Sequence, residues 1–450
     1  MKKFDIEFKK EKPLYIELYE YIKEAIINKD LKPNEKLPSK RVLSTYLSIS
    51  INTVILAYNL LLDEELIESI PKKGYFVTKY SITLDNDNTY QPLKKNTSNI
   101  LYDFSTKNID ATIFPYYTFN KICKNVIYQN NILTKSNNFG NLDLRNTIAS
   151  YLYESKSIRV NPENIIIGSG IEYLLTIIIH LLDIKTIGIE NPGYDKIYKI
   201  LSNNNKNIIL CDLDDEGVIL KDNLDAIYIT PQNQFPTGIK MSMKRKLQIA
   251  NTFHNENYII EDDFDSEFKY LSNKSISLFE LNKENTILLS TYSRTIFPSL
   301  RISYMILPDK VLEKYKERYS FYSTTVSTLD QLILNEFIIS GAYSRHLNKT
   351  KALYKQKREL IINLLKPYDY IEIDTQNSYL SLIINIKNFN HELFKSLAKK
   401  ELIDISLMED FYMDNKKDDR IIIGYSAISL DKISDGISKL IQIINKSKFA

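Results

Sequence analysis

The amino-terminal part of the chain repeats apolar positions at helical spacing. Residues 13–28 carry apolar side chains on one face of a helix, and residues 37–47 and 48–66 repeat this pattern. Ser39 and Ser50 precede the helical parts of the second and third segments, where a serine hydroxyl can accept hydrogen bonds from the first helical N–H groups. The pattern therefore predicts three helices, of which the second is short.

After the third predicted helix the apolar pattern shortens. Residues 67–80 contain two short apolar runs joined by a basic, glycine-containing tip, which predicts a β-hairpin. We therefore expect residues 1–78 to fold as one small unit. Residues 79–100 are polar and have no periodicity, so they bury too little apolar surface to order themselves and are predicted to be a linker.

Beyond the predicted linker, short apolar runs alternate with helical segments, which is typical of an α/β fold. Several runs lack polar alternation, as in strands buried on both faces of a mostly parallel sheet. The runs are residues 164–168, 186–190, 207–211, 226–230, 258–262, 286–290 and 302–307. Helical segments such as 171–183 and 242–256 separate them, and a long helical region, 309–365, precedes shorter alternating segments. Residues 101–450 are therefore predicted to form an α/β unit that ends in a smaller α/β subdomain.

Composition and charge narrow the class of protein. A hydrophobic content of 44% and a charged content of 26% are those of a folded globular protein, and 450 residues suggest two or three folding units. The net charge is only +3, so any signal for nucleic-acid binding has to be local. Cys123 and Cys211 fit a reducing compartment, and the sequence has neither a signal-peptide pattern nor an apolar stretch long enough to span a bilayer. These features predict a cytoplasmic protein with no membrane partner.

The predicted helical unit has the layout of a winged helix-turn-helix. A short second helix, a turn and a third helix that begins in small polar residues can present that third helix to a major groove. Ser50, Asn52 and Thr53 lie at its start, where short side chains can reach phosphates or base edges. Cations cluster on the same predicted face, namely Lys40, Arg41, Lys72 and Lys73. Spacing alone leaves one alternative open, a helical bundle that binds another protein and carries solvated lysines.

The stretch "LPSKRVLSTYLSISINTVILAYNLLLDEELI", followed by "PKKGYFV", resembles the DNA-binding domain of the GntR regulator family. The resemblance covers residues 13–78 and implies a double-stranded DNA operator as partner. The residues assigned to the DNA surface are Ser39, Lys40, Arg41, Ser50, Asn52, Thr53, Lys73 and Gly74. Ile51 stands where many family members place arginine, so the operator sequence does not carry over from the family.

Polar clusters follow several predicted strands, and open α/β sheets bind ligands at the carboxyl ends of their strands. In "GSGIEY" the backbone N–H groups of Ser169, Gly170 and Ile171 open a helix and would face an anion, although such a turn can also be purely structural. "ENPGYD" offers Tyr194 as a ring that stacks or hydrogen-bonds. "TPQNQFPTG" offers Asn233 as an amide donor.

Two further clusters complete a candidate site. Asp262 follows a strand directly and is poorly placed to be fully solvated. The turn "YSRTIFPSLR" adds Ser293 together with the cations Arg294 and Arg301. A carboxylate for a ring nitrogen, an anion cradle, amide donors and a basic turn together indicate a pyridoxal phosphate site.

The order of these blocks resembles the fold-type I aminotransferases, and most closely the MocR subfamily of GntR regulators. The blocks that carry the resemblance are "NFGNLDLRNTIASYL", "TPQNQFPTG", "EDDFDSEF", "SLRISYMILP" and "DDRIIIGYS". In that subfamily an aminotransferase-like domain follows the winged helix and serves as an effector sensor. The resemblance implies an N-terminal winged helix-turn-helix joined to a fold-type I aminotransferase-like domain, and a homodimer.

Two positions depart from the family. The resemblance puts the Schiff-base lysine at Arg294 and the phosphate-binding arginine at Arg301. A guanidinium is always protonated and supplies no amine nucleophile, so Arg294 cannot form the Schiff base. Phe264 stands where the subfamily usually has a tyrosine that hydrogen-bonds the cofactor ring. The resemblance also implies that Arg420 binds a substrate or effector carboxylate, with a surface ion pair as the alternative.

These residues favour one hypothesis and leave two others open. The favoured hypothesis is a dimeric transcription regulator whose aminotransferase-like domain senses a small anionic ligand without completing transamination; pyridoxal phosphate, if bound, would be held non-covalently. One rival is an active aminotransferase that carries a DNA-binding domain. The other is an architectural dimer that senses no ligand.

Overall fold

The computed structural model describes residues 12–79, 100–133, 137–268, 276–374 and 380–448, together with residues 4, 6 and 8. It divides into two compact units, Met1–Thr97 and Ser98–Ala450. All but the ends of the predicted linker lies outside the described residues.

The first unit contains three helices and a hairpin. The helices are α1 (Leu14–Ile27), α2 (Lys40–Leu47) and α3 (Ile51–Asp63), and the strands are β1 (Ile67–Ile70) and β2 (Gly74–Val77). The two strands are antiparallel, and the apolar faces of the three helices bury Leu18, Leu43 and Tyr58 in a common core. The helical and hairpin patterns of the sequence therefore predicted the elements of this unit correctly.

Both predicted N-caps of the first unit are confirmed. The Ser39 hydroxyl accepts a hydrogen bond from the backbone N–H of Val42, and the Ser50 hydroxyl accepts one from the N–H of Thr53. These bonds satisfy N–H groups that have no partner inside the helix. They fix the residues at which α2 and α3 begin.

The second unit is built on an eight-stranded, mostly parallel sheet. Its strands are β4 (Ile165–Gly168), β5 (Thr186–Asn191), β6 (Asn207–Asp214), β7 (Gly217–Val218), β8 (Ala226–Ile229), β9 (Tyr258–Asp263), β10 (Thr286–Thr291) and β11 (Ser303–Ile306). The strand order is β4-β11-β10-β9-β8-β5-β6-β7, in which β11 and β7 run antiparallel to their neighbours. All residues of β4, β8, β9 and β11 are buried, as the uninterrupted apolar runs predicted.

Helices cover this sheet and lead into the C-terminal subdomain. They are α4 (Tyr116–Ile127), α5 (Leu142–Lys156), α6 (Ile171–Leu181), α7 (Asp195–Asn203), α8 (Met243–Thr252), α9 (Leu278–Leu281), α10 (Asp309–Tyr319), α11 (Thr328–Ile339) and α12 (Ala342–Leu365). The single long helical region predicted over 309–365 is thus three helices. Gly341, at a φ of +69°, forms the turn between the last two.

The C-terminal subdomain has its own four-stranded sheet. Its elements are β12 (Glu372–Asp374), β13 (Ser381–Asn385), α13 (His391–Lys400), β14 (Ile403–Asp404), β15 (Ser406–Leu407), β16 (Arg420–Gly424) and α14 (Ile433–Lys448). The sheet order is β12-β13-β16-β15. The strand β3 (Tyr102–Asp103) at the start of the unit pairs in parallel with β14. This pairing joins the first described residues of the unit to its last subdomain.

Candidate functional site

The sheet topology gathers most of the predicted ligand-binding residues at one edge. Strands β5, β8, β9 and β10 are mutually parallel, and β4 has the same direction because both it and β10 run antiparallel to β11. The segments that follow these strands therefore emerge side by side, as expected for an open α/β sheet. The turn after β10 ends where β11 begins, which returns Arg301 to the same edge.

A cavity of about 390 Å³ opens at this edge. Its volume lies within the usual range for small-molecule sites. Its wall includes the predicted residues Ile171, Tyr194, Asp262, Phe264, Ser293, Arg294 and Arg301. Ser169, Gly170, Asn233 and Arg420, which were also predicted to bind ligand, are not part of this wall.

Asp262 lies in the wall as a buried carboxylate with one free oxygen. Its side chain receives a hydrogen bond from the Tyr228 hydroxyl through Oδ2, and its Oδ1 has no partner within the described part of the chain. Burial raises the pKa of Asp262 to about 7, although the Tyr228 hydrogen bond and the charge of Arg294 oppose this. A ligand with an N–H group would satisfy the free oxygen.

Arg294 lies beside Asp262 and extends over an aromatic ring. Its guanidinium carbon is 5.7 Å from the centre of the Phe264 ring, and its Nη1 donates to the backbone carbonyl of Thr106. Thr106 belongs to the segment that follows β3. The guanidinium therefore faces the cavity while it is held by an aromatic face and one carbonyl.

Arg301 does not stand free in the cavity. Its Nη2 donates to Oε2 of Glu172 at 2.6 Å, and the other oxygen of Glu172 is 3.8 Å from Nζ of Lys196. Burial opposes ionisation of Glu172, but the hydrogen bond and charge of Arg301 outweigh it, so the pKa of this carboxyl is lowered. The predicted phosphate-binding arginine thus already has an anionic partner from the chain itself.

The turn predicted to cradle a phosphate is also engaged within the protein. The backbone N–H of Ser169 donates to the Thr325 hydroxyl, and that of Gly170 donates to the carbonyl of Gly168. Gly170 has a φ of +94° and lies directly against the Arg301 guanidinium, so a side chain there would collide with it. Two of the three N–H groups assigned to an anion therefore have other acceptors.

Asn233 and Ser293 contribute further polar atoms at this edge. Asn233 is buried and donates to Asp265, while its Oδ1 has no partner among the described residues. The hydroxyl of Ser293 is also buried and has no such partner. Burial raises the pKa of Asp265 to about 7. Unsatisfied buried polar atoms are costly, and their concentration here makes this edge the candidate ligand site.

Arg420 begins β16 and is bound by a neighbour in sequence. Its Nε and Nη2 donate to Asp418 at 2.9 and 2.6 Å, and about a third of its side chain is exposed. This is the ion pair named above as the alternative. The assignment of Arg420 to a ligand carboxylate stays a prediction.

Several residues of the cavity wall were missed by reasoning from the sequence. Glu172 stands inside the quoted "GSGIEY" stretch, where the reasoning considered only the backbone. Tyr228 lies on a buried strand and carried no signal of its own. Thr106 and Lys107 come from the start of the unit, far from the other motifs in sequence, and only the fold places them in the wall.

The residues predicted to contact DNA lie on adjoining elements of the first unit. Tyr58 of α3 packs edge-on against Tyr75 of β2 at 5.0 Å and donates to the carbonyl of Pro38. Nζ of Lys40, at the start of α2, lies 4.9 Å from the centre of the Tyr75 ring. The beginning of α2, the body of α3 and the hairpin are thereby held together.

The predicted DNA-contact side chains are mostly accessible. The exposed ones are Ser39, Arg41, Ser50, Asn52 and Lys73, while Lys40, Thr53 and Gly74 are partly buried. Gly74 has a φ of +113°, a conformation that other residues rarely adopt, which explains a glycine at the base of the hairpin tip.

Comparisons with known proteins agree with this architecture. Residues 14–77 match the family of bacterial regulatory proteins, gntR family, and residues 116–433 match aminotransferase class I and II. The uncharacterized HTH-type transcriptional regulator YdeL of Bacillus subtilis (strain 168) is 34% identical over 95% of this chain and 96% of its own. The probable rhizopine catabolism regulatory protein MocR of Rhizobium meliloti is 24% identical over 95% of this chain and 93% of its own.

A solved structure supports the fold of the second unit. An archaeal alanine:glyoxylate aminotransferase superposes with a TM-score of 0.69 at 22% identity, covering 77% of this chain and 91% of the aminotransferase. Together the fold and these matches define a transcriptional regulator with an aminotransferase-like domain. Within that class the chain belongs to the MocR subfamily of the GntR regulators. The predicted fold class and family are therefore confirmed.

The aminotransferase-like fold normally binds pyridoxal phosphate, and the cavity fits that group only in part. The free oxygen of Asp262 suits a protonated ring nitrogen. The phosphate end fits poorly, because Glu172 occupies Arg301 and the nearby N–H groups of Ser169 and Gly170 have internal acceptors. This donor set therefore assigns no chemical step to the cofactor.

Over the described ranges no helix combines the length and the apolar character that a membrane crossing requires.

Proposed function

We propose that this protein is a DNA-binding regulator whose second unit binds a small anionic ligand, such as pyridoxal phosphate or an amino acid, without completing transamination. The observation that carries the proposal is the position of Arg294 in the cavity wall next to Asp262. In this proposal Arg294 replaces the Schiff-base lysine of the aminotransferases. A guanidinium keeps its proton, so it can anchor a ligand anion but cannot attack an aldehyde.

The proposal assigns a role to each part of the chain. Residues 1–78 bind the operator, residues 79–100 link the units, and residues 101–450 bind the ligand and form the homodimer. The ligand alters DNA affinity by binding two states of the protein with different free energies, as any allosteric coupling requires. Residues in the cavity orient the ligand through Asp262 and Arg294 and leave it unchanged.

One observation favours the rival function of an active aminotransferase. Lys107 and Lys196 also line the cavity, and either could supply an amine in place of position 294. For Lys196 the contact with Tyr194 and the nearby Glu172 raise the pKa, which disfavours the free amine that would attack an aldehyde. Lys107 is therefore the residue to examine.

The test is a search for a covalent adduct. The full chain is mixed with pyridoxal or with pyridoxal phosphate in separate samples, reduced with borohydride and digested, and each lysine is examined by mass spectrometry. We expect no cavity lysine to be modified in the unaltered protein, whereas Arg294→Lys should be modified at the new lysine and should show visible aldimine absorbance before the reduction. Arg318→Lys, on the surface pair with Asp183, is the matched control and should show no such absorbance.

An adduct at Lys107 or Lys196 in the unaltered protein would contradict the proposal and favour the enzyme. The architectural alternative makes a different prediction, since a protein that binds no ligand gains no thermal stability from one. A rise in melting temperature with pyridoxal, pyridoxal phosphate or amino acids would exclude it.

A further inference from the structure

The anion cradle at the start of α6 contains a carboxylate of the protein itself. Glu172 is the second residue of that helix, and its two oxygens are divided between Arg301 at 2.6 Å and Lys196 at 3.8 Å. All three side chains are part of the cavity wall. They form a compact group that we call the Glu172 triad.

The charge of the triad is too small for a phosphate dianion. Two cations and one carboxylate leave a single positive charge. A bound phosphate dianion would make this region net negative and would bring its oxygens against those of Glu172. If Glu172 were uncharged, the two cations would match the dianion.

The backbone around the triad adds a second obstacle. The Ser169 N–H is bonded to Thr325 at 3.1 Å and the Gly170 N–H to Gly168 at 3.0 Å, so neither is open to a ligand. The Arg301 guanidinium lies directly on Gly170, where it is held by Glu172. A phosphate has to displace an existing ion pair before it can reach this turn.

Other polar atoms near the cavity are not engaged in this way. Oδ1 of Asp262 is buried without a hydrogen-bond partner among the described residues, and the hydroxyl of Ser293 is likewise buried and without such a partner. These atoms can hydrogen-bond a heteroaromatic ring or an ammonium group, whether or not the ligand carries phosphate. The cavity thus offers hydrogen-bond partners to the ring or ammonium group of a cofactor-like ligand, whereas its phosphate-binding groups are already engaged within the protein.

We propose that Glu172 is a specificity-determining residue that excludes phosphate dianions, so that the cavity prefers an unphosphorylated ligand to its phosphate ester. The proposal deepens the function proposed above and rests on it for the identity of the site. It makes the phosphate group, rather than the ring, the part of the ligand that this protein discriminates against.

The experiment compares pyridoxine with pyridoxine 5′-phosphate, two probes that lack an aldehyde and therefore cannot react with surface lysines. Binding to the full chain is measured by isothermal titration calorimetry in phosphate-free buffer at constant ionic strength. The unaltered protein should bind pyridoxine at least as tightly as the ester. In Glu172→Gln the affinity for the ester should rise at least tenfold, while that for pyridoxine should change less than threefold.

Two further variants complete the comparison. Glu172→Ala removes the side chain and should also favour the ester, which separates the charge from any effect specific to glutamine. Asp183→Asn frees a different arginine, Arg318, from a surface carboxylate. It should bind both probes as the unaltered protein does, because a freed arginine outside the cavity creates no site. Circular dichroism checks that each variant is folded.

Two outcomes would overturn the inference: tenfold tighter binding of the ester by the unaltered protein, or an unchanged ratio in both Glu172 variants. If neither probe binds the unaltered protein or any variant, the proposed ligand class is wrong. Inorganic phosphate then tests whether Glu172 excludes a phosphate dianion. Phosphate should raise the melting temperature of Glu172→Gln more than that of the unaltered chain. Equal shifts would overturn the inference independently of the ligand class.

Discussion

The basic residues assigned to ligand binding have different surroundings in the two units. In the first unit, Arg41 and Lys73 are exposed, and the ion pairs among its described residues use Lys12 and Lys23 instead. In the second unit, Arg301 and Arg420 donate to carboxylates of the same chain although both are partly exposed, and Lys357 is paired while fully buried. DNA binding is driven by release of counterions from open cations, whereas a cation withdrawn from water needs a partner within the fold. Exposed cations of the first unit should therefore affect binding, and a buried paired cation of the second unit should affect stability.

The largest effect should come from the buried pair of Lys357 and Asp110. Their side chains are 0% and 4% exposed, and Nζ of Lys357 lies 2.9 Å from the carboxylate and 2.6 Å from the carbonyl of Ile428. Lys357→Met leaves a buried carboxylate without its cation and should lower the free energy of unfolding by about 3–5 kcal/mol. Urea unfolding followed by circular dichroism measures this loss.

The exposed pair of Lys314 and Glu256 provides the control for that experiment. Lys314→Met should cost less than about 1 kcal/mol, because surface ion pairs contribute little. Adding Asp110→Asn to Lys357→Met should recover part of the loss. Equal losses of unfolding free energy in the two lysine variants would show that burial of the ion pair does not determine its contribution to stability.

The next effect is a pH dependence at Asp262. Its pKa of about 7 in the folded protein exceeds the unfolded value of about 3.9, so the folded state retains the proton more strongly. Its contribution to stability therefore falls as pH rises from about 4 to about 7. Asp262→Asn removes this dependence, and its advantage over the unaltered protein should grow by about 2–3 kcal/mol between pH 5 and pH 8.

Tyr228→Phe sharpens the same measurement. The Tyr228 hydroxyl donates to Asp262 and favours the ionised carboxylate, so its removal should move the pH-dependent loss to a higher pH. Unfolding by urea at several pH values gives both curves. A constant difference between Asp262→Asn and the unaltered protein would show that Asp262 is ionised throughout this range.

The smallest effect is expected for a substitution of Arg41, which should change the free energy of DNA binding and leave the stability of the fold unchanged. Arg41→Ala should weaken binding to DNA from the region upstream of the gene by about 1–3 kcal/mol, or roughly 5- to 150-fold, and should flatten the dependence on salt. The melting temperature should hardly change, because the side chain is exposed. Fluorescence anisotropy at two salt concentrations measures the binding.

Lys387→Ala in the second unit is the control for Arg41→Ala. It removes the same charge from an exposed side chain that pairs with Glu372. It should leave DNA affinity unchanged. An equal loss in both variants would mean that net charge, and not the helix-turn-helix surface, governs binding.

Much of the fold could be predicted from local patterns. The caps at Ser39 and Ser50 and the buried runs that became β4, β8 and β9 depend on residues adjacent in sequence, so the chain reveals them without knowledge of its tertiary structure. The division of residues 309–365 into three helices was missed, because the turn at Gly341 lies within a continuously helical pattern.

The candidate site was predictable only where motifs follow strands. Asp262 and Arg294 were found because polar residues directly after apolar runs meet at one edge of a parallel sheet. The pairing of Glu172 with Arg301 could not be found in this way, since the two residues come together only when β4 and β11 are neighbours. Side-chain partners of this kind depend on tertiary structure.

The bond from Arg294 to Thr106 has a mechanical consequence. It connects the wall of the cavity to the segment just after β3, the first strand of the second unit. A ligand that attracts this guanidinium would weaken its hydrogen bond to the carbonyl of Thr106 and would allow that segment to shift. The affected stretch is covalently continuous with the residues that lead back to the helix-turn-helix. A change at the cavity can therefore affect the segment of the second unit that leads towards the first unit in sequence.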